Sequence, residues 1–93
     1  MKRPLLRSSA FIRRARSLPK KDPQRSADLQ LTLDLLAMDC FHPRLKTYKL
    51  KGELEGCWAC SAGYDLRIAF KFVEYEGAEA VLLLTIGTHH EVY

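Results

Sequence analysis

Asp65 and Arg67 stand two residues apart in the run Tyr64-Asp65-Leu66-Arg67-Ile68, and His89, His90 and Tyr93 close the chain. These residue types can act on a phosphate ester. The planar fork of an arginine makes paired hydrogen bonds to phosphate oxygens. A carboxylate can take a proton or orient a hydroxyl. A histidine gives and takes protons near neutral pH, and an aromatic ring stacks on a nucleobase for about 1–3 kcal/mol. A basic stretch precedes them, with Arg44, Lys46, Lys49 and Lys51 around Tyr48. Cations interleaved with an aromatic suit RNA, where backbone charge and stacking both contribute. Each group also has a plainer account: a surface ion pair, a solvated tail, a solvated edge strand.

The charge distribution sharpens this reading. Residues 1–52 hold 13 Lys and Arg against 4 Asp and Glu, a net +9, while residues 53–93 carry a net −5. A basic half attracts phosphate backbones or an acidic protein partner, and a solvated helix face would look the same. At 93 residues the chain is read as one domain, 1–93, with a small core. No stretch approaches the ~20 apolar residues that cross a bilayer, and no apolar run follows the charged start as in a signal peptide. Three cysteines without a framework favour a reducing cytoplasm.

The elements that must position these groups follow from periodicity. Lys2–Ser8 is predicted as a first strand, which Pro4 confines to an edge or to its own start. Ser8 or Ser9 caps a helix over Ala10–Leu18, with Phe11, Ala15 and Leu18 on one stripe. Pro19 ends it. Asp22-Pro23 opens a second helix to about Asp39. Its stripe of Leu29, Leu33, Leu36 and Cys40 is widened by Ala27, Leu31, Leu35 and Met38. The two helices form an antiparallel hairpin. Strands are then predicted at Leu45–Lys51, Cys57–Ala62 and Tyr64–Glu74. In the last, Leu66, Ile68, Phe70 and Phe72 alternate with Asp65, Arg67, Ala69 and Lys71. Ala80–Ile86 is almost wholly apolar and reads as a central strand covered on both faces. The order is β-α-α-β-β-β-β. The fold class is α+β: a small, mostly antiparallel twisted sheet with an N-terminal helical hairpin packed on one face.

Cys57-Trp58-Ala59-Cys60 has the spacing of a redox pair or half a zinc site. The stretch alternates like a strand, so its two thiols point to opposite faces, and Trp58 and Cys60 pack inward. His42, alone before Pro43, reads as a loop residue.

Several of these stretches together resemble the RelE/ParE toxin superfamily, and within it the YafQ-like RelE/StbE branch. They are Phe11, Leu35-Leu36, Asp39 through Pro43, Leu45-Lys46-Thr47, Lys49-Leu50-Lys51-Gly52, Leu54-x-Gly56-x-Trp58, Tyr64-Asp65-x-Arg67-Ile68 and Ile86-Gly87-Thr88-His89-x-Glu91-Val92-Tyr93. The resemblance covers nearly the whole chain. It implies the toxin of a type II toxin–antitoxin pair, a ribosome-dependent messenger RNA endonuclease working in the ribosomal A site without metal or other cofactor. The cut would use the RNA's own 2′-hydroxyl. Asp65 falls at the family's acidic catalytic position, Arg67 at the arginine that holds phosphate, His89 at the proton donor and Tyr93 at the aromatic that positions a base. Arg44, Lys46, Tyr48, Lys49 and Lys51 would contact RNA. The implied partner is a cognate antitoxin, in a hetero-oligomer. The chain departs from the branch where Tyr48 and Ser61 replace histidines, where Thr85 replaces an arginine and where His90 replaces an aspartate. Those departures imply a slow enzyme, a rearranged catalytic set or a catalytically decayed homologue that still binds an antitoxin; the superfamily also offers a ParE-like gyrase poison, against which the histidine-containing terminus argues.

Overall fold

In a computed structural model, residues 2–18, 23–63 and 65–92 are described. The expected helix stop at Pro19, the expected cap at Asp22 and the site residue Tyr93 lie outside them. The elements are β1 (Leu5–Arg7), α1 (Ser9–Arg16), α2 (Pro23–Met38), β2 (Tyr48–Lys49), β3 (Trp58–Ser61), β4 (Leu66–Tyr75), β5 (Ala78–Thr88) and α3 (His89–Val92), with 3-10 turns at Pro43–Leu45 and Gly52–Leu54. The five strands form one mixed sheet in the order β1-β5-β4-β3-β2. β1 runs parallel to β5 and the other neighbours are antiparallel. The α+β architecture is the expected one, and Pro4 does precede an edge strand. No helix among the described residues is long and apolar enough to cross a membrane.

One face of the sheet carries the helices. Leu66, Ile68 and Phe70 of β4, Val81, Leu83 and Ile86 of β5, and Cys60 of β3 meet Phe11 of α1 and Leu33 and Leu36 of α2. Trp58 packs at its border. The other face holds a smaller cluster of Ala59, Ala69, Leu50 and Val92, with Tyr48, Cys57 and Leu84 against it. A bulge lets β5 serve both. Phe70 faces Leu83 but Ala69 faces Thr85, so one extra residue sits in β5. Leu83 and Ile86, three apart, therefore both reach the helix face while Leu84 turns to the other.

The sequence pattern misleads in several places. The strand expected over Leu45–Lys51 contracts to two residues. Leu45 is instead a buried member of a 3-10 turn started by Pro43, where the His42 ring accepts the Arg44 N–H at 3.1 Å. The wide stripe of α2 is narrower: Leu31 is 44% and Met38 56% exposed. β5 is central, as expected, yet only its helix face is fully covered; Leu82 on the other side is half-buried. His89 and His90, which follow the last predicted strand, begin a terminal helical turn.

Phe70 is completely buried in β4, so Phe70→Ala is expected to lower the unfolding free energy by about 3–5 kcal/mol. Leu31→Ala is expected to change it by no more than about 0.5 kcal/mol. Urea denaturation of both variants makes the comparison, and equal losses would contradict this placement of the core.

Candidate active site at the end of strands β4 and β5

The turn between β3 and β4 is tight. The Ala62 N–H donates to Leu66 O at 2.8 Å, and the Leu66 N–H donates back to Gly63 O. Gly63 takes φ 104° and Asp65 φ 58°. This left-handed region is open to glycine and tolerated by aspartate, whose short polar side chain bonds locally. Asp65 is therefore an exposed turn residue and not part of β4. The expectation that Asp65 and Arg67 share one strand face is corrected: the strand starts at Leu66.

Arg67, the second residue of β4, points away from Leu66 and Ile68 to the side without the helical hairpin. It is half-buried. Its Nη1 donates to Leu66 O at 3.0 Å and to Ser61 Oγ at 3.5 Å. Ser61, Arg67 and Gly87 form one row across three strands. One residue further out, Leu66 pairs with Thr88, and beyond that the His89 N–H donates to Asp65 O at 3.2 Å. Strand register thus brings His89, distant in sequence, to the corner of the sheet that holds Asp65 and Arg67. His89 and His90 are exposed, their ring centroids 6.0 Å apart.

The terminal turn α3 is tied down by Glu91. Its Oε1 accepts the Thr88 N–H at 2.8 Å, the reach-back of a capping box, in which a carboxylate in the first turn satisfies the N–H just before the helix. Its Oε2 accepts from Arg14 Nη2 in an ion pair. The Thr88 backbone bond, then the Arg14 guanidinium, hold the Glu91 carboxyl down to about 2. Arg14 also donates from Nε to Ile86 O at 3.2 Å. Neither Arg14 nor Glu91 stands out as a site residue in the sequence. The spacing Thr88-x-x-Glu91 signals the cap; nothing signals an arginine 77 residues away.

The basic residues do not form one strip. Arg44 and Lys46 line a cleft of about 200 Å³ with Ser61, Gly63 and the α2 residues Asp28 and Thr32, beside the corner that holds Arg67. Lys49 pairs with Trp58 in the β2–β3 register, and its Nζ lies 5.5 Å from the Trp58 ring centroid on the helix-bearing face. Lys51 lines a separate cleft of about 720 Å³ near the β2–β3 loop. Tyr48 is half-buried against the small cluster on the other face. Among the described residues its hydroxyl has no hydrogen-bond partner.

The two thiols of Cys57-x-x-Cys60 belong to opposite faces, as alternation predicts: Cys60 to the helix-side core and Cys57 to the smaller cluster. Burial pushes the Cys60 thiol up to about 12, which keeps it protonated and unreactive at neutral pH.

No family model and no curated protein matches the sequence. Solved structures do match. A YoeB/ParE toxin from Agrobacterium tumefaciens superposes with a TM-score of 0.75 at 13% identity, covering 92% of this chain and 98% of that one. YafQ from E. coli strain BL21(DE3) gives 0.74 at 16% identity, over 97% of each chain. The E. coli DinJ–YafQ toxin–antitoxin complex gives 0.73 at 18%, over 100% and 99%. The chain has the RelE-like toxin fold. It is the fold the sequence resemblance implies. At these identities it is the arrangement of the RelE-like sheet and helices that is shared.

Two outcomes test this geometry. Because the folded Glu91 carboxyl lies below its ordinary 4.5, its contribution to holding α3 is fully present above about pH 4.5 and fades as pH falls toward about 2. A carbon-detected titration of Glu91, with the Thr88 amide shift following it, is expected to show a midpoint well under 4; a midpoint at 4.5 would contradict the cap. Tyr48→Phe removes a hydroxyl without a partner among the described residues and is expected to hold or raise stability, by up to about 1 kcal/mol, as read by thermal melting.

Proposed function

We propose that the chain is the toxin of a type II toxin–antitoxin pair and a ribosome-dependent endoribonuclease that cuts messenger RNA. The observation that carries the reading is the corner of the sheet described above. The His89 N–H donates to Asp65 O one step beyond the Leu66–Thr88 pair, with Arg67 in the next row. An acid/base pair and a cation for phosphate belong to one neighbourhood in the reaction proposed.

The cut needs three groups. A base takes the proton of the RNA 2′-hydroxyl, and that oxygen attacks the adjacent phosphorus. The P–O5′ bond breaks, an acid protonates the departing 5′-oxygen, and the products are a 2′,3′-cyclic phosphate and a 5′-hydroxyl. A cation offsets the charge that gathers on the phosphate oxygens in between. In this reading Asp65 is the base, Arg67 the cation and His89 the acid. Tyr93, next to the buried Val92 but outside the described residues, stacks on a base of the message. Arg44 and Lys46, beside Ser61, take the RNA backbone near the cut. Lys49 and Lys51 take it, or ribosomal RNA, farther along. Tyr48 supports the sheet beneath them. The reaction calls on no cofactor.

The partners proposed are messenger RNA in the ribosomal A site and a cognate antitoxin, all in the cytoplasm. The likeness to YafQ in its complex with DinJ supports an antitoxin. The charge split supports one that lays an acidic or amphipathic segment on the basic half.

Primer extension on ribosome-bound message is the test. Wild type is expected to cut in the A site, and His89→Ala and Arg67→Ala each to slow cutting by about 100-fold or more. Intact message alongside growth arrest and gyrase-dependent DNA breaks would replace this reading by the gyrase one. Antitoxin binding with neither cleavage nor arrest would leave a decayed homologue.

A further inference from the structure

We propose that Arg14, on α1, is a positioning residue for His89: its guanidinium braces the terminal turn α3 against the end of β5. The inference rests on the cleavage reading above and adds to it a residue outside the catalytic groups.

A helix of four residues has no stability of its own, because nucleation costs more than one turn returns. α3 therefore takes its position from what it touches. Val92 is buried at 4% exposure on one side. At its start the backbone is fixed by the His89 N–H bond to Asp65 O. Glu91 closes the remaining side through the Thr88 N–H, and Glu91 is itself held by Arg14. The arginine is not a loose counter-ion. Its Nε is spent on Ile86 O at 3.2 Å, so its plane is set by β5 before it meets the carboxylate. A lysine, with one point charge on a flexible stem, makes one of these contacts well but not both.

Gly87 points the same way. It lies within β5 and its backbone is not left-handed, so no turn demands glycine there. Glycine inside a strand weakens it and marks a close approach. Here a Cβ would stand 3.0 Å from Arg14 Nη2 and 3.0 Å from Glu91 Oε1. The missing side chain is the space the brace occupies. His89 begins two residues later.

An exposed ion pair adds little to global stability, whereas shifting a reacting group by about 1 Å can cost about 100-fold in rate. The two quantities separate positioning from mere structure. Single-turnover cleavage on programmed ribosomes would compare wild type with Arg14→Ala, Arg14→Lys, Gly87→Ala and, as a control on the same helix, Arg16→Ala. Arg14→Ala is expected to lower the maximal rate about 10- to 100-fold with KM for ribosomes within about twofold. Arg14→Lys should fall between, Gly87→Ala should lose rate like Arg14→Ala, and Arg16→Ala should match wild type. Melting temperatures should stay within a few degrees, while the Thr88 amide and His89 ring resonances move in Arg14→Ala. A wild-type rate in Arg14→Ala overturns the brace and leaves the cleavage reading standing. So does a loss confined to KM, which would make Arg14 an RNA contact, or a loss that only follows unfolding. If wild type itself leaves message intact, the cleavage reading fails. The brace is then decided by the resonances alone, and their failure to move overturns it.

Discussion

The register between β4 and β5 fixes everything at the candidate site. The two strands pair from Tyr75–Ala78 at the hairpin to Leu66–Thr88 at the far end. A slip of one residue would carry Arg67 to the helix-bearing face and turn Ile68 and Phe70 outward. Both faces resist that slip. Leu66, Ile68 and Phe70 are buried under the helices, while Ala69 and Leu84 pack on the other side with Val92. The bulge opposite Phe70 adds a second constraint, since β5 can place Leu83 and Ile86 on one face only with its extra residue where it is. The corner that gathers Asp65, Arg67 and His89 is thus a consequence of core packing several residues away.

The outer edge of β5 poses a different problem. β1 is only three residues long and pairs with Val81, Leu82 and Leu83. Beyond it β5 continues with carbonyls that have no strand to meet, and unpaired edge groups are costly where water is excluded. Backbone and side-chain donors of the N-terminal segment take them up. Ser8 donates its hydroxyl to Leu84 O at 2.9 Å and its N–H to Leu83 O, while the same hydroxyl caps α1 by accepting the Phe11 N–H. Arg14 then reaches Ile86 O. The start of α1 is therefore not simply a cap but a continuation of the sheet edge. Its position decides where the Arg14 guanidinium arrives beside α3.

What the sequence makes legible is what repeats. The alternation from Leu66 to Phe72 and the opposite faces of Cys57 and Cys60 follow from period two, the central β5 from its continuous apolar run, and the edge strand after Pro4 from proline's missing N–H; all appear in the fold. Leu33, Leu36 and Cys40 likewise follow the helical period. The site is harder because its residues break the period. Asp65 looks like a strand residue by alternation with Leu66, yet its left-handed backbone belongs to a turn whose tightness comes from Gly63 packing on α2, where a Cβ would meet Asp28 Oδ2 at 2.9 Å. Leu45 looks like the start of a strand, yet the turn begun by His42 and Pro43 draws it into the core. Lys49 looks like a member of a basic strip, yet strand pairing places it over Trp58. In each case a tertiary contact outweighs the local pattern.

The charge asymmetry of the chain has a structural component as well as an interaction component. Two of the arginines in the basic half reach across to carboxylates in the acidic half: Arg3 to Glu79 at 2.7 Å, near the start of β5, and Arg14 to Glu91, just after its end. Arg3 also lies 5.7 Å from the Phe72 ring centroid, which adds a cation–π contact to the same tether. Exposed pairs like these contribute little to the free energy of folding. Their placement at both ends of β5 suits a different role, which is to hold the N-terminal segment in step with the longest strand. That use draws charge inward at two points. Other cations stay exposed, among them Arg7 and Arg13 near α1, Lys49 and Lys51 near the β2–β3 loop, and Arg44 and Lys46 beside the corner of the sheet. Arg44 and Lys46 share a cleft with Ser61, whose hydroxyl accepts from Arg67, so exposed positive charge adjoins the residue to which the proposed chemistry assigns the phosphate.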